Sequence, residues 1–319
     1  MTTELLTVKV AKRAQEAAGI ITLELVDPAG NDLPAFTAGS HIDVHLPKTG
    51  TLRQYSLWNS PSETHRYCLG ILRDPDSRGG SLEIHGSVKE GDLLKISQPR
   101  NHFHLQEGAA EQFILLAGGI GITPLLSMAQ RLSDLGKAFE LHYCSRSEQR
   151  TAFVDQLKSS AFAANVKFHF DDAGDEQLLD IPSLVGTQPE ATSLYVCGPQ
   201  GFMDAVIDAA SNWNPTDVHR EYFSVNEDHE NDSSFKVMIN STGQVIDIPE
   251  DSSITEVLEE QGIDIPVSCE QGVCGTCMTT VIEGDIDHQD FFLTDPEKEA
   301  GDVILPCCSR AKGTLVLDL

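Results

Sequence analysis

Four cysteines near the carboxyl terminus have the spacing of a ligand set for an iron–sulfur cluster. Cys269, Cys274 and Cys277 follow the pattern C-x₄-C-x₂-C, and 29 residues separate Cys277 from Cys307. A plant-type [2Fe–2S] cluster takes its thiolate ligands from such a loop and one distant cysteine. A structural zinc site usually has paired C-x₂-C spacings, so the pattern favours iron–sulfur over zinc. The sequence therefore predicts a one-electron carrier with these four residues as metal ligands.

The fourth ligand has a neighbour of the same type, because Cys308 follows Cys307 directly. An apolar run at 303–305 predicts a strand that brings this pair to the cysteine loop. Adjacent side chains on a strand face opposite ways, so only one of the two thiols is expected to reach iron. Gly272 and Gly275 lie between the loop ligands. The missing Cβ at each is expected to let backbone amides approach the cluster.

A glycine-rich turn between a strand and a helix predicts a nucleotide-binding site. The run FILLAGG at 113–119 is typical of a parallel strand buried on both faces, and apolar residues at helical spacing follow Pro124. Amides at a helix N-terminus favour pyrophosphate. The turn GGxGxTP differs from the Rossmann GxGxxG, and a glycine turn alone can be purely structural. Its place after a buried strand favours binding, by Gly118, Gly119, Gly121 and Thr123.

A second strand end, YVCGPQGF at 195–202, lies where α/β sheets bind ligands. Cys197 is small and polarisable and can lie against a flat ring, with Gly198 and Pro199 beside it. The alternative is a buried cysteine that fills a tight corner, which is the commoner role of a lone cysteine.

Two motifs in the first third of the chain predict a site for a phosphorylated aromatic ligand. In RQYS at 53–56, Arg53 and Tyr55 share one face of an extended strand. SRGGS at 77–81 adds a basic, glycine-rich turn that suits phosphate. Each motif is weak alone, and together they are specific. The candidate ligand-binding residues are Arg53, Tyr55, Ser56, Arg78, Gly79, Gly80 and Ser81.

The pattern of elements predicts a multidomain chain. Short alternating runs predict an antiparallel β-barrel over 1–107, and alternating β and α segments predict a doubly wound parallel α/β sheet over 108–223. The polar stretch 224–234 is typical of a linker. Over 235–319, a strand pair and one helix that starts with a capping box precede the cysteine loop, which suits a β-grasp ferredoxin domain.

The charge excludes some partners. The chain of 319 residues has a formal net charge of −27, so phosphate would repel it and neither nucleic acid nor an anionic membrane is expected as a partner. The segment 235–319 alone has 17 acidic and four basic residues. The sequence predicts neither a signal peptide nor a membrane-spanning helix. Scattered cysteines beside a thiolate-ligated cluster predict reduced thiols and a cytoplasmic protein.

Taken in order, these motifs resemble the phthalate dioxygenase reductase family over nearly the whole chain. The matching segments are RQYS, SRGGS, AGGIGITP, CGPQGF, EYF, CEQGVCGTC and CCSRAKGTLVLDL. The resemblance implies FMN rather than FAD, held by Arg53, Tyr55, Ser56, Arg78 and Ser81. It implies that Phe223 stacks near the isoalloxazine or nicotinamide ring, so that Ser56, Cys197 and Phe223 lie where hydride is transferred. It also assigns Cys307 as the ligand, because the family has a hydrophobic residue at the position of Cys308.

The activity that the resemblance implies is electron transfer from NADH through FMN and a [2Fe–2S] cluster to a terminal Rieske oxygenase, by a monomeric reductase. One alternative is a di-iron monooxygenase or cytochrome as acceptor, which the carboxyl-terminal ferredoxin domain disfavours. Another is a non-catalytic iron–sulfur sensor, which the three cofactor motifs together disfavour. NADPH is also open: Arg146 and Arg150 suit a 2′-phosphate, whereas Glu148 or the pair 171–172 suits a free ribose hydroxyl. The resemblance favours NADH.

Overall fold

The computed structural model describes residues 5–74, 79–223 and 233–319. The chain divides into two compact units, with the boundary between Phe223 and Ser224. Most of the predicted linker, 224–232, lies outside the described residues. Among the helices of the described ranges, none has the length and apolar character needed to cross a membrane.

The first part of the first unit is an antiparallel barrel, as predicted. Its strands follow the order β4-β3-β6-β1-β2-β5, with β7 paired to β3, and a bridge between Leu57 and Leu69 joins the two ends. Alternation along β1 places Val8 and Val10 in the core. The strands are β1 (Leu6–Ala17), β2 (Ile20–Val26), β3 (Ser40–His45), β4 (Leu52–Ser56), β5 (Tyr67–Leu72), β6 (Leu93–Ile96) and β7 (Arg100–Asn101).

One helix of the barrel was not predicted. The glycine-rich segment expected to be a turn continues into α1 (Gly80–Ser87), and Gly79 precedes it in the left-handed conformation with φ 88°. Glycine adopts such angles without the steric cost that a Cβ brings. The short segment has a mixed composition, GSLEIHGS, with no clear apolar stripe, so sequence periodicity could not reveal it.

The second part of the first unit is a parallel sheet of five strands, also as predicted. The order β10-β9-β8-β11-β12 reverses direction between β8 and β11, which makes that crevice the topological switch point where such sheets bind ligands. The strands are β8 (Gln112–Gly118), β9 (Ala138–Ser145), β10 (Val166–Phe170), β11 (Thr192–Cys197) and β12 (Val218–Glu221). The helices are α2 (Ile122–Asp134), α3 (Val154–Ser159), α4 (Ile181–Val185) and α5 (Gln200–Ala209).

Hydrogen bonds join the barrel to helix α2 of the parallel-sheet part. The hydroxyl of the fully buried Ser127 donates to the Asn59 carbonyl at 3.0 Å, and the Gln130 amide donates to the Trp58 carbonyl at 3.0 Å. Buried polar groups are costly to leave unpaired, so these contacts fix the two parts against each other. The flavin-type and nucleotide-type motifs therefore belong to one compact body.

The second unit is a mixed sheet of the β-grasp type. Its order is β14-β13-β17-β15-β16, with the first strand, β13, parallel to the last, β17. The predicted capping box is present, because the Ser253 hydroxyl accepts from the Glu256 amide while the Glu256 carboxylate accepts from the Ser253 amide. The elements are β13 (Phe235–Ile239), β14 (Val245–Ile248), α6 (Ile254–Glu260), β15 (Thr279–Asp287), α7 (Asp295–Ala300), β16 (Val303–Ile304) and β17 (Arg310–Leu317).

A buried arginine ties the edges of this second unit together. The Arg310 guanidinium donates to the backbone carbonyls of Ser233, Pro249 and Ser252 at 3.2, 2.6 and 3.0 Å. Its charged carbon lies 5.0 Å from the ring centre of Phe235. One cation at the start of β17 thus holds the segments that flank β13, β14 and α6.

Candidate functional site

The side chain of Arg53 lies across the beginning of helix α1. A Cβ on Gly80 would lie 2.6 Å from both Cγ and Nε of Arg53, so only glycine leaves room for this approach. The guanidinium also donates to the Leu52 carbonyl at 2.6 Å. A cation beside the N-terminal amides of a helix is an arrangement that suits phosphate. The structure therefore brings together Arg53, Gly79 and Gly80 of the predicted flavin site.

The other predicted flavin residues lie on β4 and on the first turn of α1. Tyr55 pairs with Ile42 across the sheet, and burial raises the pKa of its phenol, which keeps it neutral. Ser56 is buried and ends β4. The Ser81 hydroxyl accepts from the Asp74 amide at 3.2 Å. Arg78 lies outside the described residues, so its predicted phosphate contact stays a prediction.

Two of the predicted nucleotide-binding glycines are needed for contact between protein segments. A Cβ on Gly121 would overlap the Cys197 carbonyl, and one on Gly118 would lie 2.8 Å from Pro199. The turn after β8 and the turn after β11 therefore meet backbone to backbone, with Gly198 in the same contact. These glycines were predicted as binding residues, and the structure shows that two of them are also needed for this contact. Only Gly119, with φ 55°, has open space where its Cβ would stand.

Thr123 lies at the start of α2 with its hydroxyl already engaged. It is buried, and its Oγ1 donates to the Ile120 carbonyl at 3.0 Å. We predicted that this hydroxyl donates to the ligand. In the structure it stabilises the short 3₁₀ turn Gly119–Gly121 that leads into the helix. Thr123 therefore supports an anion site indirectly, because it holds the shape of the turn.

Cys197 has a neighbour that the sequence analysis missed. It ends β11 directly opposite Ala117 of β8 on one side and Glu221 of β12 on the other. The thiol is fully buried, and burial, followed by the charge of Glu221, raises its pKa well above the ordinary value. An un-ionised thiol at the switch point suits contact with an uncharged ring rather than nucleophilic attack.

One oxygen of the Glu221 carboxyl is buried and unsatisfied, while the residue as a whole is half-buried. Its Oε2 atom has no access to solvent and no hydrogen-bond partner among the described residues, and burial raises its pKa to about 8. Buried polar groups are nearly always paired, so an unpaired one beside Cys197 marks a functional site. The available sequence signal was its position two residues before Phe223. Phe223 itself is partly buried against the core of the parallel-sheet part.

The raised pKa of Glu221 makes stability depend on pH. The folded chain keeps this proton up to about pH 8, whereas the unfolded chain releases it near the ordinary 4.5. Folding takes up a proton between these values, so the free energy of unfolding falls as pH rises. Relative to Glu221→Gln, the wild type is expected to lose up to about 1.4 kcal/mol per pH unit in this window. Urea unfolding at several pH values, followed by tryptophan fluorescence, measures the free energy of unfolding. Trp58 and Trp213 both lie in the first unit, which also contains Glu221. Parallel pH profiles for the two proteins would contradict the assignment.

The four predicted cluster ligands are buried and near one another. The Cys269 thiol hydrogen-bonds Cys274, and Cys277 hydrogen-bonds Cys307. The amides of Gln271 and Thr276 donate to the sulfurs of Cys269 and Cys274, both at 3.4 Å. The bond from Cys269 lowers the pKa of Cys274, which favours the thiolate that binds metal.

The donor set fits a [2Fe–2S] cluster in chemistry, since four thiols with amide donors around them are what such a cluster requires. In the described part of the chain, Cys269 hydrogen-bonds Cys274, and Cys307 hydrogen-bonds both Cys277 and Cys308.

Two details of the cluster loop differ from expectation. Cys307 and Cys308 lie in a turn after β16, in which the amides of Cys308 and Ser309 both donate to the Leu305 carbonyl. Strand alternation therefore does not separate the two thiols. Gly272 is left-handed, with φ 68°, and the Cys308 sulfur occupies the place where its Cβ would lie. The missing Cβ thus makes room for a side chain as well as for backbone near the cluster.

Comparison with known proteins agrees with this architecture. Residues 237–312 match the family described as 2Fe-2S iron-sulfur cluster binding domain. The chain is 52% identical over 307 residues to a vanillate O-demethylase oxidoreductase from Pseudomonas sp., covering 95% of this chain and 96% of that protein. It is 41% identical over 317 residues to a phthalate dioxygenase reductase from Burkholderia cepacia, covering 98% and 97%.

Solved structures give the same result. A phthalate dioxygenase reductase, described as a modular structure for electron transfer from pyridine nucleotides to [2Fe–2S], matches with a TM-score of 0.79 at 40% identity, covering 99% of this chain and 98% of that one. The similarities confirm the predicted oxygenase reductase, its fold class and its flavin, pyridine-nucleotide and [2Fe–2S] cofactors. The chain belongs to the phthalate dioxygenase reductase family.

Proposed function

We propose that the chain is the NADH-dependent reductase component of a two-component Rieske oxygenase. The observation that carries this proposal is the pairing of Cys197 with Glu221 at the switch point of the parallel sheet. The same compact unit contains Arg53 and Gly80 at the start of α1, an arrangement that suits phosphate. The cofactors supply the redox chemistry: FMN accepts a hydride and passes on single electrons, and the [2Fe–2S] cluster carries one electron at a time.

The residues of the chain hold and orient these groups. Arg53 and the start of α1 bind the FMN phosphate, while Tyr55 and Ser56 lie along the ring system. The turn after β8 binds the pyrophosphate of NADH at the N-terminus of α2. Cys197 and Phe223 position the nicotinamide, and their apolar, un-ionised surfaces exclude water from the transfer of hydride.

The nucleotide is NADH rather than NADPH. Glu148, one of the acidic candidates for the ribose, is exposed after β9 and forms an ion pair with Lys158 at 3.4 Å. The Asp171 amide donates to the Ser145 carbonyl at 3.1 Å, which places a second acidic residue at the same edge of the sheet. Carboxylates at this edge accept from a ribose hydroxyl and repel a 2′-phosphate.

The electron acceptor is a Rieske centre of an oxygenase, and the relatives support this class of partner. One is a vanillate O-demethylase oxidoreductase and another a phthalate 4,5-dioxygenase reductase subunit. Rieske centres have potentials of about −150 to +300 mV, against about −400 mV for plant-type ferredoxins, so the last step is downhill. The chain acts as a monomer, in the cytoplasm, where a reducing environment keeps the four cysteines outside the cluster set, Cys68, Cys144, Cys197 and Cys308, as thiols.

Anaerobic mixing of the purified holoprotein with NADH tests this function. We expect loss of the flavin absorbance in the blue region, followed by the EPR signal of a reduced [2Fe–2S] cluster. Mass analysis of the released flavin should give FMN. Absence of flavin would contradict the enzyme proposal, and FAD as the sole flavin would contradict the cofactor assignment.

Salt should slow electron delivery to the oxygenase. The segment 235–319 has a net charge of −13, and α7, which exposes Asp295, Glu297 and Glu299, follows directly after Leu293, a residue packed with Cys277. Charge patches accelerate encounter between partners, and screening removes this gain. As the Debye length falls from about 30 to 10 Å, we expect the second-order rate of oxygenase reduction to fall about tenfold.

Stopped-flow measurements at several salt concentrations check this prediction. Reduction of the flavin by NADH within the same chain is the internal control and should change much less. A salt-independent rate with the native oxygenase would mean that the charge serves solubility alone.

A further inference from the structure

The loop that follows β9 is tied to the barrel by two hydrogen bonds. The Ala18 amide, in the β1–β2 hairpin, donates to the Gln149 carbonyl at 2.9 Å. The Glu16 carboxylate, near the end of β1, accepts from the Phe153 amide at 2.8 Å. Glu16 and Phe153 are 137 residues apart in sequence, so the second bond joins the flavin-type barrel to the parallel-sheet part.

Phe153 is held in an unfavourable backbone conformation at this contact. Its φ and ψ are 62° and 19°, in the left-handed region that aromatic residues rarely adopt. The ring is 1% exposed and lies 4.8 Å from that of Trp58, and a Cβ on Gly70 would lie 3.2 Å from it. Such strain persists only where the surroundings fix it. Here the Glu16 hydrogen bond and the Trp58 and Gly70 contacts come from the barrel.

Hydrogen bonds within the loop hold the residues that precede Phe153. The Ala152 amide donates to the Tyr143 hydroxyl at 3.2 Å, and the Thr151 hydroxyl donates to the Ser147 carbonyl at 2.8 Å. Burial raises the pKa of Tyr143, and the nearby Glu16 carboxylate raises it further, so the phenol stays protonated beside that carboxylate. The loop from Ser145 to Phe153 is therefore held by its own hydrogen bonds and, at Phe153, by the hydrogen bond to Glu16.

This loop carries three charged, exposed residues at the place where doubly wound sheets recognise the adenosine half of a nucleotide. Arg146, Glu148 and Arg150 are exposed on it, immediately after the second strand of the parallel sheet. In doubly wound sheets the ribose of the adenosine is recognised at about this position in the chain. Correct placement of these side chains depends on the course of the loop between β9 and Phe153.

We propose that Glu16, although it belongs to the flavin barrel, is a positioning residue for binding of the adenosine ribose of NADH. This inference rests on the proposed function. Glu16 acts through the loop and contacts neither nicotinamide nor flavin. Its loss should therefore weaken nucleotide binding and leave the rate of hydride transfer at saturation unchanged.

Stopped-flow reduction of the holoprotein by NADH tests the inference with Glu16→Ala and Glu16→Gln. Glu16→Ala should raise the apparent Kd for NADH about tenfold, corresponding to about 1.4 kcal/mol, with the limiting reduction rate within about twofold of wild type. Glu16→Gln keeps an oxygen acceptor for the Phe153 amide and should bind NADH within about twofold of wild type. Reduced nicotinamide mononucleotide lacks the adenosine half, so its Kd should not change in either variant.

The matched control is Glu90→Ala. Like Glu16, Glu90 accepts a hydrogen bond from a distant backbone amide, that of Arg13 on β1 at 2.8 Å, but this bond lies within the barrel. The variant should therefore bind NADH as wild type does. An unchanged Kd in Glu16→Ala, or an equal rise with the mononucleotide, would overturn the inference while the proposed function stands. Failure of NADH to reduce the flavin of the unmodified protein would overturn both.

Discussion

Replacement of Cys307 by serine is expected to remove the visible and EPR signals of the [2Fe–2S] cluster or to perturb them greatly, while Cys308→Val keeps both. Cys307 is buried and hydrogen-bonded to Cys277, another of the predicted ligands. The Cys308 sulfur lies in the same turn and hydrogen-bonds Cys307, but it is half-buried and lies 3.7 Å from the Leu305 carbonyl. Serine offers a poor ligand for iron, whereas valine keeps the apolar character of a cysteine side chain and offers no ligand atom.

Iron and sulfide analysis of the two purified variants, together with EPR after reduction, decides between the thiols. Bound FMN reports that the first unit is intact, and far-UV circular dichroism of the whole chain controls for folding of the second. The reverse pattern, with the cluster lost in Cys308→Val and kept in Cys307→Ser, would show that the ligand is the second cysteine of the pair.

Gly121→Ala is expected to damage the nucleotide site through a clash alone. Gly121 has an ordinary φ of −60°, so alanine brings no backbone strain, but its Cβ would overlap the Cys197 carbonyl. Overpacking of this kind costs about 1–3 kcal/mol. The melting temperature should fall by about 2–12 °C for a unit of this size. The rate of flavin reduction by saturating NADH should fall at least about tenfold, because displacement of Cys197 disturbs the alignment for hydride transfer.

Gly201→Ala is the matched control. Gly201 is the second residue of α5, and nothing lies within 4 Å of the place where its Cβ would stand. Alanine favours a helix over glycine by about 1 kcal/mol, so this variant should be as stable as wild type or slightly more so, with normal flavin reduction. Equal behaviour of the two variants in differential scanning calorimetry and stopped-flow would show that the two turns are not in close contact.

The barrel, the parallel sheet and the β-grasp unit were predictable because each has a hydrophobic period that a sequence displays. The capping box at Ser253 was predictable for a similar reason, since its residues lie within one helical turn. The helix after Gly79 was not, because its first residues are glycine and serine and its register depends on contact with Arg53. Local composition there resembles a turn.

Candidate site residues were predictable when they lie in a compact motif and were missed when tertiary contact creates them. Glu221 stands in a short strand, VHRE, and only pairing with Cys197 of β11 reveals that one of its carboxyl oxygens is buried. The pair Cys307 and Cys308 was assigned to a strand because an apolar run precedes it, yet the chain turns at Leu305. Pro306, at the second position of this turn, was the available signal, because the fixed φ of proline suits that position.

The parallel pairing of β13 with β17 has a consequence for how the second unit folds. Lys236 is the partner of Thr314, and Arg310 bonds to carbonyls that lie 58 to 77 residues earlier in the chain. Closing a long loop costs entropy before any contact forms, and structures rich in such distant pairings fold slowly. All four cluster cysteines lie inside this loop. Newly made chains therefore pass through a period in which these thiols are exposed to oxidation, and the oxidant level during synthesis should affect how much holoprotein is obtained.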